Sequence, residues 1–132
     1  MISKTPAESY SVMTELILPS HANSLGTVFG GQVMSWIDIC GAIASSRHCE
    51  SSVVTASVDD LHFLAPMKIG DLCQLEAWVV YSGRTSVDVR VEVRKEILGE
   101  NKKPLTTEAW LTFVAIDKKG KPRQVPKVIS SS

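Results

Sequence analysis

The sequence has no net charge, no paired cysteines and no apolar run long enough to cross a bilayer, and each absence removes a class of function. Basic and acidic residues balance at 14 each over 132 residues, so the average surface attracts neither nucleic acid nor membrane. Partners are to be sought in a pocket instead. The three cysteines, Cys40, Cys49 and Cys73, are odd in number, form no CxxC pair and show no metal-ligand spacing with His21, His48 or His62. They read as reduced, packed thiols, and no metal is expected. No apolar signal core follows the basic residue in MISKTPAESYSVM, which makes a cytoplasmic protein the expectation. A GxSxG motif is also missing, and no histidine or cysteine has a recognisable catalytic context. His48, near a helix end, reads as a capping or surface residue, and Cys40 as a core residue.

The length suits one domain spanning 1–132 with short flexible ends. SVMTELIL, from Ser11 to Leu18, alternates loosely and stops at Pro19, as a first strand would. SHANSLGTVFGG is rich in turn formers and reads as a loop. QVMSWIDICGAIASS, Gln32 to Ser46, is apolar or small almost all the way round, which implies a helix wrapped by other structure, with Arg47 and His48 at its C-terminal end. In SVVTASVDDLHFLAP, Val54, Ala56 and Val58 are expected on one face, followed by a phase slip around Asp59 and Asp60 that a bulge would explain. Two more strands meet near Ser82 and Gly83, the second placing Val87, Val89, Val91 and Val93 inward. PLTTEAWLTFVAID supplies the last. This order predicts an α+β fold, with a curved antiparallel sheet wrapped around one long helix. KKGKPRQVPKVISSS reads as a basic, proline-broken surface tail that frays at its end.

Asp38 is the residue that most needs explaining. A carboxylate in an otherwise uncharged helix loses water on folding and becomes a better base; equally, it could sit at a helix edge or pair with Arg47. Its helical neighbours Met34, Ser35, Gly41 and Ala42 are mostly small, which leaves room beside it or lets a strand cross closely. Gly30 and Gly31, placed just before the helix, either offer backbone N–H groups to an oxyanion or form an ordinary N-terminal turn. The Asn23 amide could hold a water or polarise a carbonyl, or simply close an Asx turn. SGRTS, Ser82 to Ser86, combines a cation and hydroxyls at a glycine turn: a place for phosphate contacts, or a plain hairpin.

Taken together, LPSHANSLGTVFGGQVMSWIDICGA, RHC, VVTASVDDLHFLAPMKIGD, GRTSVDVRVEV and TFVAIDKKGKPRQVP resemble the acyl-CoA hydrolase branch of the hotdog-fold thioesterases, over nearly the whole chain from Val12 to Val128. The resemblance implies hydrolysis of acyl-CoA to a free acid and coenzyme A. Coenzyme A is then part of substrate and product, and no separate cofactor is implied. It further implies a dimer of hotdogs with interface active sites, commonly a trimer of such dimers. Asn23 matches the family's catalytic asparagine and Asp38 its catalytic aspartate, the two coming from opposite protomers. Gly30 and Gly31 would face the thioester carbonyl, and Gly83, Arg84, Thr85 and Ser86 would form part of the coenzyme A groove. ASVDD resembles the strand lining the acyl pocket, with Thr55, Ser57 and Asp59 all open as substrate contacts. A non-catalytic acyl-CoA sensor would need the pocket without the base, which the Asn23 and Asp38 pair argues against. A hotdog dehydratase would want a histidine that the central helix lacks, and an interaction module has no use for a lone buried carboxylate.

Overall fold

A computed structural model describes residues 3–129. Its elements run β1 (Ser3–Lys4), α1 (Pro6–Ser9), β2 (Ser11–Leu16), a 3-10 turn (Pro19–His21), α2 (Gly30–Cys49), β3 (Ser52–Phe63), β4 (Leu72–Ser82), β5 (Ser86–Glu96), β6 (Leu105–Ile116) and β7 (Lys127–Val128). The main sheet has the order β2-β4-β5-β6-β3 and every pair in it is antiparallel. It packs one face on α2, which gives the α+β arrangement expected from the periodicity and matches the fold that the hotdog resemblance implies. Among the described residues no helix is long and apolar enough to cross a membrane.

The strict alternation of β5 explains why it lies at the centre. Val87, Val89, Val91 and Val93 are fully buried against α2, with Leu75, Ala77 and Val79 beside them on β4 and Leu111 and Phe113 on β6. Each such side chain contributes on the order of 1.5–3 kcal/mol by leaving water. The helix meets this layer through Val33, Trp36, Ile37, Cys40, Gly41 and Ala44. Gly41 is needed for the close approach. A Cβ built there lies 3.0 Å from Phe113 Cε2 and 3.1 Å from Phe113 Cζ. Gly41→Ala should therefore lower stability by about 1–3 kcal/mol through overpacking, read as a lower denaturation midpoint at fixed protein concentration.

The helix is longer than expected, 20 residues, and takes in the glycine pair as its first two residues, with Phe29 as N-cap. The first two helical residues donate no intrahelical hydrogen bond, so glycine costs less there than in the helix interior. At the other end Glu50 adopts a left-handed conformation, φ 53° and ψ 40°, and its N–H donates to the Ser46 carbonyl at 2.7 Å. The sheet covers only one side of the helix: Met34 and Ile39, on the other side, are 41% and 47% exposed. The expected sheet around one long helix is present, and within a single chain its five strands curl around only part of the helix.

Strand β3 lies at the sheet edge and carries two register shifts, between Thr55 and Ser57 and between Val58 and Asp60. The slip expected near Asp59 is present, but a second at Ala56 was not anticipated, and it changes the face assignment. Thr55 stands opposite the buried Phe113 and Val58 opposite the buried Leu111, so both face α2, whereas Val54 stands opposite Val114 on the other face.

The C-terminal segment also departs from expectation. Val125 is buried and its N–H donates to the Arg84 carbonyl at 3.0 Å, and Lys127–Val128 pairs in parallel with Ser3–Lys4. The Pro126 carbonyl lies 2.8 Å from His48 Nε2, which must donate to it. His48 is fully buried rather than a surface residue. Burial lowers its pKa below the ordinary histidine value, against the opposing pull of the Pro126 carbonyl. Two apolar residues and one carbonyl suffice to dock a segment whose composition is basic and proline-broken. The expected fraying at Ser130 to Ser132 lies outside the described residues.

Candidate active site

The loop between the 3-10 turn and α2 is held by its own hydrogen bonds. Asn23 Oδ1 accepts from the N–H groups of Leu25 at 2.9 Å and Thr27 at 3.1 Å. The Asn23 N–H donates to the Thr27 carbonyl at 2.9 Å, and the Asn23 carbonyl accepts from Gly26 N–H at 3.0 Å. Gly26 sits at φ +80°, a conformation that glycine adopts without strain. The Asx turn weighed as an alternative is therefore present. It does not exhaust the side chain: two backbone donors fix the carboxamide oxygen as the acceptor, so the NH2 end is a donor, and among the described residues it has no acceptor. The loop is anchored below by Val28 N–H on the Met67 carbonyl at 2.9 Å and Ile69 N–H on the Gly26 carbonyl at 3.1 Å.

Where the loop enters the helix, the first intrahelical donors are Gln32 and Val33, both to the Phe29 carbonyl. No side chain caps this end among the described residues, so the N–H groups of Gly30 and Gly31 remain available at the positive end of the helix dipole. The two glycines do not look into one space. Gly30 lines a cleft of about 340 Å³ with Phe63, Pro66 and Met67, and Gly31 lines a second of about 320 Å³ with Asp38, Thr55, Val58 and Leu61.

Asp38 points into the second cleft from the middle of α2. Its Oδ1 accepts from Thr55 Oγ1 at 2.6 Å. Arg47 is engaged elsewhere, on Ser11 Oγ at 2.9 Å and the Tyr10 carbonyl at 3.3 Å, which removes the ion pair considered from sequence. No donor among the described residues reaches Oδ2. The carboxylate is half-buried and keeps one free oxygen, so it is held in orientation and still able to take a proton. Of the three β3 residues left open, Thr55 faces the helix, while Ser57 stands opposite Thr112 on the outer face. Sequence reasoning did not separate them, because the bulge at Ala56 decides which side chain turns inward.

Gly83 to Ser86 forms the β4–β5 hairpin turn, closed by Gly83 N–H on the Ser86 carbonyl at 2.8 Å. The Thr85 carbonyl accepts from Ala115 N–H, and the Arg84 side chain is exposed. Ser86 is aligned through Val114 with Val54, one residue from Thr55, so the turn lies roughly two strand spacings, ~10 Å, from that part of β3. Among the described residues no hydrogen bond joins the turn to Asp38, nor Asn23 to Asp38. The three cysteines are all buried, and burial pushes their thiols up to about 11 for Cys40 and Cys49 and about 12 for Cys73. None is a thiolate nucleophile at neutral pH.

Comparison with known proteins gives this geometry a setting. The pattern of the thioesterase superfamily matches residues 25–101. The acyl-CoA thioester hydrolase YciA of Escherichia coli is 38% identical over 120 residues, 87% of this chain and 89% of that protein. An acyl-CoA hydrolase from Staphylococcus aureus, solved with butyryl coenzyme A, coenzyme A and coenzyme A disulfide, superposes with a TM-score of 0.95 at 39% identity, covering 98% of this chain and 79% of that one. The same enzyme has been solved with an asparagine, an aspartate and a threonine each changed to alanine, residues spaced along that chain as Asn23, Asp38 and Thr55 are along this one. A hexameric acyl-CoA thioesterase solved without ligand superposes with a TM-score of 0.95 at 41% identity, over 100% of this chain and 85% of that one.

Proposed function

The chain belongs to the thioesterase superfamily and has its hotdog fold, and on that premise we propose that it hydrolyses acyl-CoA thioesters to a free carboxylic acid and coenzyme A. The observation that carries the reading is the 2.6 Å bond from Thr55 to Asp38 Oδ1, which leaves Oδ2 free in a cleft whose other walls are largely apolar. Asp38 Oδ2 takes a proton from water as the water oxygen bonds to the thioester carbon, or attacks that carbon itself to give a mixed anhydride that water then opens. The negative charge that develops on the carbonyl oxygen is met by helix-start N–H groups, above all that of Gly31, each well-aimed donor contributing about 3 kcal/mol. Collapse of this tetrahedral adduct breaks the carbon–sulfur bond and releases coenzyme A as its thiolate; on the general-base route the proton held by Asp38 then passes to sulfur or solvent, and on the anhydride route that proton comes from the water that opens the anhydride.

Asn23 completes the site from a second copy of the chain. Its free NH2 end donates to the attacking water or to the carbonyl oxygen. Two features favour such a copy: the open helix face at Met34 and Ile39, and the unpaired outer edge of β3, where Val54 and Val58 are 47% and 44% exposed. An apolar face beside an unpaired edge suits an isologous dimer, and the hexameric relatives favour three such dimers. In this reading Arg84, with Gly83, Thr85 and Ser86, meets the phosphates of coenzyme A, a role that the exposed cation at a glycine turn supports. An acyl-CoA sensor is the competing reading, and free-thiol release from a panel of acyl-CoAs, short, long and aromatic, separates the two. Turnover with a clear chain-length preference is expected; binding of every ester without thiol release would support the sensor.

A further inference from the structure

In a regular strand, side chains alternate, so Thr55 facing inward would bring Ser57 and Asp59 inward with it and turn Val58 out. The structure shows otherwise. With extra residues at Ala56 and Asp59, the inward set on β3 becomes Thr55, Val58, Leu61 and Phe63, opposite Phe113, Leu111, Ala109 and Thr107. Beyond Thr55, the polar residues Ser57, Asp60 and His62 are thus turned out of the cleft and Val58 and Leu61 into it. Two bulges within five residues weaken the ladder to β6 in a strand that, among the described residues of one chain, has no neighbour on its other side.

One side chain ties this segment together. Asp59 folds back over the outer face and accepts from Ser57 Oγ on Oδ1 at 2.5 Å and from Thr112 Oγ1 on Oδ2 at 2.6 Å. Ser57 and Thr112 are themselves cross-strand partners, so the bulged residue fastens its own strand to β6 across the distortion. The Thr112 hydroxyl also lies 2.8 Å from Asp88 Oδ1 and has one hydrogen to share between the two carboxylates. The two hydroxyls, Ser57 first, hold the Asp59 carboxyl below the ordinary aspartate range, so the clamp is ionised at neutral pH.

We propose that Asp59 is a positioning residue: it pins the double bulge that turns Val58 and Leu61 into the cleft and holds Thr55 on Asp38. This rests on the thioesterase reading of the cleft. Asp59 is held on the outer face, away from Asp38 and the cleft, and acts through the path of β3. Asp59→Ala removes both acceptors. Asp59→Asn keeps the clamp: its oxygen accepts from Ser57, and its NH2 donates to Thr112, whose hydrogen then goes to Asp88.

The test measures amide hydrogen exchange over residues 52–63 together with kcat and KM across the acyl-CoA panel. For Asp59→Ala, exchange at Thr55 to Val58 should quicken by roughly tenfold or more, kcat should fall by about the same factor, and chain-length preference should broaden. Asp59→Asn should stay within about twofold of wild type in all three. Thr112→Val, which removes one arm and preserves the side-chain shape, should fall between. Unchanged exchange in the alanine variant overturns the clamp, and faster exchange with wild-type kcat and preference overturns its positioning role. An asparagine variant no better than alanine overturns it too. The exchange readout needs no turnover, so a wild type that releases no thiol would refute the thioesterase reading separately.

Discussion

Asp38→Asn should lower kcat by about 10²–10⁴-fold, the range expected when a general base is removed, with little change in fold. The asparagine carbonyl takes the place of Oδ1 and still accepts from Thr55 Oγ1, so the 2.6 Å contact that orients the side chain survives. What is lost is Oδ2, the oxygen without a donor among the described residues, now an NH2 that can neither accept a proton nor attack a carbonyl. The substitution therefore separates chemistry from position. Free-thiol release and the denaturation midpoint, measured side by side, check it. A variant with a wild-type midpoint and turnover within a few-fold of wild type would make Asp38 a structural residue. It would move the search for the base to another group in the cleft, whereas the sensor is favoured only if the wild type itself binds the esters and releases no thiol.

Asn23 allows an equally selective change. An aspartate there can still accept from Leu25 N–H and Thr27 N–H, so the Asx turn that shapes the loop is retained. It cannot donate. Asn23→Asp should thus reduce kcat by roughly 10²-fold or more, the usual loss for one oxyanion or water-orienting donor, while thermal unfolding stays near wild type. The interface origin of the residue is tested by co-expressing Asn23→Asp with Asp38→Asn. Each variant alone assembles sites with one defect apiece. In a mixed dimer one site carries both defects and the other neither, so random assembly should restore about a quarter of wild-type turnover. A mixture as inactive as its components would place both residues of a working site in one chain.

Much of this architecture is legible in the sequence because it is periodic. The two-residue alternation of Val87, Val89, Val91 and Val93 fixes which face of β5 is buried, and these four residues are fully buried. An apolar stretch with a single carboxylate marks the central helix, and the glycines, Asn23 and Asp38 stand out because turn formers and a lone charge are conspicuous beside it. The resemblance to hotdog thioesterases, carried by motif order along the chain, names the fold and the activity class. Local chemistry is enough for such readings, since hydrophobic period and turn propensity are properties of neighbouring residues.

Other features depend on contacts between segments far apart in the chain. Which of Thr55, Ser57 and Asp59 faces the helix was not legible, because a bulge at Ala56 is set by pairing with β6. His48 is buried because the chain returns 78 residues later to bring the Pro126 carbonyl to its ring. Arg47 makes no ion pair with Asp38 because Ser11 Oγ at the start of β2 and the Tyr10 carbonyl just before it engage its guanidinium. The sequence by itself determined the central helix, the five strands of the main sheet and their order along the chain, since a folding pattern is written in local period. Only the tertiary structure decided which oxygen of Asp38 is held and which is free, which end of Asn23 can donate, and which residues of β3 line the cleft. Those are matters of hydrogen-bond partner and strand register, and a partner is supplied by a distant segment.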